Sequence, residues 1–66
     1  MKVQINGKSE TFPEPLGLDK LAASKGLQPE RIVIELNQRI VARGQWPGVI
    51  LKDGDVLEII TFMAGG

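Results

Sequence analysis

Met1, Val3 and Ile5 alternate with Lys2 and Gln4, the period-two signature of a strand with one face buried. Asn6-Gly7 follows at once. A type I′ turn needs positive φ at both central positions, and Asn and Gly tolerate it best, so Lys8 to Phe12 is expected to return antiparallel. Pro13-Glu14-Pro15 removes two backbone donors and closes that strand. Leu18, Leu21 and Ala22 then stand at i, i+3 and i+4, with Asp19, Lys20 and Lys25 left for water, which predicts an amphipathic helix of about two to three turns. Gly17 serves as its N-cap. Gly26-Leu27 has the order of a Schellman stop, a left-handed glycine followed by an apolar residue that folds back on the last turn.

The second half reads as strands. Ile32 to Leu36 is β-branched and alternating, Asn37-Gln38 is a turn, and Arg39 to Ala42 returns as a second hairpin. Arg43 to Leu51 is irregular: Pro47 and Gly48 break regular structure, while Trp46, Val49, Ile50 and Leu51 still need burial around a short 3₁₀ turn. Trp46 reads as a plug at the core edge. Asp53-Gly54-Asp55 is a tight turn, and Val56 to Phe62, interrupted only by Glu58 and Thr61, has the composition of a strand in the middle of a sheet. A hairpin, a crossover helix and a last strand beside the first make an α+β fold of the ubiquitin-like β-grasp type: a mixed sheet of about five strands with one helix packed on one face. The expected organisation is a β-grasp domain over residues 1–62 and a flexible C-terminal diglycine tail over 63–66.

Composition changes this picture mainly by exclusion. At 66 residues the chain buries about 60% of its unfolded surface, and with no cysteine to cross-link it the apolar core must carry stability alone. Eight basic residues balance eight acidic ones, so no basic surface favours nucleic acid or an anionic membrane. No run approaches the ~20 apolar residues of a membrane span, and the opening lacks the apolar stretch of a signal peptide, so the cytoplasm is the expected compartment. With neither histidine nor cysteine there is no thiolate nucleophile, no imidazole base and no soft metal ligand. Gly44 and Gly48 lack the Gly-Lys-Ser/Thr ending of a phosphate loop. Asp53, Asp55 and Glu58 read as turn and solvent-facing carboxylates ahead of a metal site. The chain is expected not to be an enzyme and to bind no cofactor itself.

What remains is the tail, Met63-Ala64-Gly65-Gly66. Eight glycines in 66 residues would place two together at the end about 1–2% of the time, so the pair is suggestive on composition alone. It has a physical use. Without Cβ atoms a diglycine can lie extended in a narrow channel and bring its carboxylate beside a nucleotide. A carboxylate resists nucleophilic attack until it is converted to a mixed anhydride with AMP, and since nothing here binds ATP, a partner would have to supply that step. The adenylate can then accept sulfur, giving a thiocarboxylate, or an amine, giving an isopeptide bond. In a chain without cysteine, cargo sulfur can reside only at Gly66, with Gly65 and Ala64 supplying reach.

At full length the chain resembles the ThiS family, the sulfur carrier proteins of thiamine biosynthesis. Glu35-Leu36-Asn37-Gln38-Arg39-Ile40-Val41, through Arg43 and Trp46, looks like that family's central hairpin, Asp53-Gly54-Asp55 like its turn before the last strand, and Ala64-Gly65-Gly66 like its tail. Ala42 stands where the family often has proline, and Ala22 where it often has leucine; both positions concern packing. The resemblance implies that an adenylyltransferase related to ubiquitin-activating enzymes uses ATP to adenylate Gly66, that a sulfurtransferase system makes the thiocarboxylate, and that thiazole synthase takes the sulfur. Three alternatives stand beside it: a carrier of the molybdopterin synthase small-subunit type, a β-grasp interaction module, and a protein modifier joined to lysines.

One surface belongs to that reading. If Leu57 and Ile59 face the helix, Ile60 and Phe62 fall on the other face together with Val33, where a single helix cannot cover them. An exposed apolar patch beside the tail suits a partner protein. The competing arrangement folds the loop around Trp46 over it.

Overall fold

The computed structural model describes residues 1–62. Strands β1 (Lys2–Ile5) and β2 (Lys8–Thr11) form the first hairpin, helix α1 spans Leu18–Ser24, β3 (Ile32–Leu36) and β4 (Arg39–Val41) form the second hairpin, and β5 (Val56–Thr61) ends the domain. The sheet order is β2-β1-β5-β3-β4, with β1 and β5 parallel and every other neighbouring pair antiparallel. First and last strands therefore lie side by side at the centre, the β-grasp arrangement expected from the element order.

Local chemistry accounts for the boundaries. Asn6 and Gly7 take φ of 51° and 82°, so the first turn is left-handed at both central residues, as a right-twisted hairpin requires. Helix α1 stops in a complete Schellman motif: the Gly26 N–H donates to the Ala23 carbonyl and the Leu27 N–H to the Ala22 carbonyl, both at 3.0 Å, with Gly26 at φ +69°. A 3₁₀ turn at Pro29–Arg31 precedes β3, an element that the apolar pattern does not announce. A second, Arg43–Gly48, carries Trp46 to the helix side of the sheet.

The core lies between α1 and the sheet. Leu18, Leu21 and Ala22 of the helix meet Val3 and Ile5 of β1, Ile32 and Ile34 of β3, Leu57 of β5, and Trp46 and Leu51 from the irregular segment. Each fully buried Leu or Ile contributes roughly 1.5–3 kcal/mol relative to exposure, so this one layer is the main source of stability. Trp46 is 2% exposed and its indole N–H donates to the Val41 carbonyl at 3.0 Å, the plug that the sequence suggested. Ile50 departs from expectation. Its backbone bridges Gly17, which turns its side chain half out to water, while Leu51 takes the buried place.

Candidate functional site

The last strand leads to the tail, and three short stretches of chain fix its course. Before it, the Asp53-Gly54-Asp55 turn spends its carboxylates on backbone donors: Asp53 accepts from the Lys2 N–H at 2.7 Å and Asp55 from the Lys52 N–H at 2.8 Å. Gly54 holds φ +89° and donates its N–H to the Lys2 carbonyl at 2.8 Å. These aspartates are turn builders, as the sequence suggested.

Asn37, at the tip of the second hairpin, grips the first residue of β5. Its backbone N–H donates to the Val56 carbonyl at 2.8 Å, while its side-chain oxygen accepts from the Val56 N–H at 3.0 Å. On the other side β1 pairs with β5 only at Gln4 with Val56 and Ile5 with Leu57, because the chain turns away at Asn6-Gly7. The Asn6 carboxamide continues the ladder in its place: its oxygen accepts from the Ile59 N–H at 2.7 Å and its nitrogen donates to the Ile59 carbonyl at 3.2 Å. Beyond Ile59 the strand is paired with β3 alone, and the Phe62 N–H ends the run by donating to the Arg31 carbonyl at 2.9 Å.

The sequence-derived carrier position, Gly66, with Gly65 and Ala64, lies outside the described residues. So does the expected flexible segment 63–66. The flanking surface is described. Leu57 is fully buried under α1 and Ile59 packs on the core, which sends Ile60 and Phe62 to the opposite face, 49% and 45% exposed. Val33 sits directly across from Ile60 in the β3–β5 register and is half-buried. The Trp46 segment packs on the helix side, so it does not cover this face. β5 is thus central, as expected, but covered on one side only.

Sequence reasoning missed four members of the same surface. Ile40 of β4 and Val56 of β5 are exposed there, and Glu35 pairs with Glu58 across β3 and β5, with Ile40 opposite Glu35. Alternation gives each residue its side, but only the register shows which residues are neighbours. Chemically this face offers apolar area and carboxylates at the strand's open side. Among the described residues every buried side chain is apolar and no three metal-ligating side chains converge.

Comparison with known proteins agrees with this geometry. The sequence model of the ThiS family matches residues 3–66, which includes the terminal diglycine. The sulfur carrier protein ThiS of Bacillus subtilis is 34% identical over 65 residues, covering 97% of this chain and 98% of that one. The crystal structure of the thiamine biosynthesis protein ThiS from Geobacter metallireducens superposes with a TM-score of 0.86 at 33% identity, with both chains fully covered. A thiazole synthase of Magnetococcus marinus is 32% identical over all 66 residues, which amount to only 20% of that longer protein. A thiazole synthase of Paramagnetospirillum magneticum likewise has 20% of its length spanned by this chain, at 33% identity. With the family model matched over residues 3–66, a full-length sulfur carrier relative at 34% identity and the same fold in a solved ThiS structure, the chain belongs to the ThiS family, the sulfur carriers of thiamine biosynthesis.

Proposed function

We propose that this chain carries sulfur as a thiocarboxylate on Gly66 and delivers it for thiazole formation. The observation that carries the reading is the family match running through residue 66, so that Gly65-Gly66 falls inside it. The chemistry is that of a carboxylate made electrophilic by another protein. Attack of the Gly66 carboxylate on the α-phosphorus of ATP releases pyrophosphate and forms an acyl-adenylate; a sulfide equivalent from a sulfurtransferase system then displaces AMP and leaves the thiocarboxylate.

Binding and activating ATP falls to an adenylyltransferase related to ubiquitin-activating enzymes, and the chain acts as its co-substrate, without catalysis of its own, in the cytoplasm. Thiazole synthase is the acceptor. The similarity of this chain to part of two thiazole synthases supports that pairing. Val33, Ile60 and Phe62 form the partner surface beside the tail.

Intact-mass measurement after coexpression with the activating enzyme and a sulfur donor tests the reading. Replacement of one terminal oxygen by sulfur is expected. An isopeptide-linked ladder would make the chain a modifier, and an unchanged mass with a harmless Gly66 deletion would make it an interaction module. Phe62→Asp is expected to keep the fold and to weaken binding of the activating enzyme by about tenfold or more, read by titration calorimetry.

A further inference from the structure

The open sheet face combines two features that conflict within the isolated chain. Ile40, Val56, Ile60 and Phe62 are 71%, 42%, 49% and 45% exposed, an apolar field on β4, along β5 and at the residue after it, with half-buried Val33 of β3 between them. Within it Glu35 and Glu58 stand directly opposite each other on neighbouring strands. Like charges at such a position are destabilising. Neither carboxylate has a cation among the described residues, where the only ion pair is Lys25 with Glu10, and neither accepts a side-chain hydrogen bond there.

We propose that this face docks the Gly66-activating enzyme through a surface that places one basic side chain, in an apolar surround, between Glu35 and Glu58. The proposal rests on the carrier reading and adds the chemistry by which the partner is chosen. Charge argues against two other occupants of the face. A second copy of this chain laid on it would bring four carboxylates together, and an anionic membrane would meet two with no compensating charge. A partner guanidinium is planar, offers five donors and can serve two carboxylates at once, so arginine fits better than lysine. Val33 and Ile60 on one side, and Ile40 and Val56 on the others, would exclude water around the contact and strengthen it. Position agrees as well. Phe62 borders the face and immediately precedes the tail, so an enzyme gripping here holds the chain beside the carboxyl group it must adenylate.

The test uses the intact chain, the adenylyltransferase from the same genome, ATP and titration calorimetry over a salt series, with pyrophosphate release as the activity readout. Glu35→Gln/Glu58→Gln is expected to weaken binding by about tenfold, to flatten its salt dependence, and to raise KM far more than it lowers kcat. The same variant is expected to melt slightly higher than the parent, since it removes the like-charge contact. Glu58→Lys is expected to weaken binding by about a hundredfold. Glu14→Lys, exposed in the loop before α1, supplies an equal charge change elsewhere and is expected to leave affinity within about twofold. Unchanged affinity and salt dependence in the double glutamine variant, an equal loss in Glu14→Lys, or dimerisation of the parent chain through this face would overturn the docking proposal alone. Failure of the parent chain to be adenylated would overturn the carrier reading, and this proposal with it.

Discussion

The two hairpin tips are built alike and used differently. Asn6 and Asn37 each open a two-residue turn, each at φ 51°, and each sends its carboxamide to β5. The Asn6 carboxamide makes both of its bonds to the backbone of one residue, Ile59, and so stands in for the next residue of β1, whose chain has already turned away. The Asn37 carboxamide makes only one bond to the strand, to the Val56 N–H; its nitrogen goes to the Asp55 carboxylate at 3.1 Å. The first tip extends a ladder and the second caps one. The ladder needs extending because β1 and β5 share only two registered pairs, whereas β3 and β5 share five. A side chain can thus lengthen a strand pairing where the main chain must reverse.

The largest effect that separates the tips is expected from Asn6→Ala. It unmakes both bonds at Ile59 and is expected to cost about 2 kcal/mol in urea unfolding, with a selective rise in hydrogen exchange at the Ile59 amide. Asn37→Ala should cost less, about 1 kcal/mol, with its exchange change at Val56, because the second bond it loses is an exposed one to the Asp55 carboxylate, which water can replace. Because φ is the same at both asparagines, the left-handed penalty on alanine is common to both variants and the difference reports the carboxamides. Equal costs, or the reverse order, would show that Asn6 is merely a turn residue. The smallest effect has the opposite sign. Gln38 holds φ 71° where the first turn has glycine, so Gln38→Gly is expected to stabilise by about 0.5 kcal/mol, seen as a raised midpoint with an unchanged denaturant slope.

Both turns were legible in the sequence as Asn-Gly and Asn-Gln between alternating runs, and the helix with its glycine stop was equally plain. Reach was not. The Asn6–Ile59 bonds join residues 53 apart, and no local pattern announces a contact that exists only once β1 and β5 have become neighbours. The opposition of Glu35 and Glu58 was hidden for the same reason, since each is unremarkable on its own strand until the register sets them together. The exposed face itself was foreseeable: one helix covers one side, and alternation along β5 assigns Ile60 and Phe62 to the other. The Pro29–Arg31 turn escaped because three residues carry no periodicity, although Pro at its start was a usable sign. Gly66 was reached by elimination and resemblance, both of which depend on composition and order along the chain.

The parallel pairing of β1 with β5 also separates the two ends of the domain. Lys2 hydrogen-bonds the Asp53-Gly54 turn where β5 begins, whereas Phe62 is anchored at Arg31 where β5 has finished. A six-residue strand spans roughly 20 Å, so a label, tether or bead attached at Met1 departs from the side of the molecule away from the exit of residue 62. Anchoring the domain at Met1 on a solid support therefore leaves the end of the domain at residue 62 on the far side, clear of the surface.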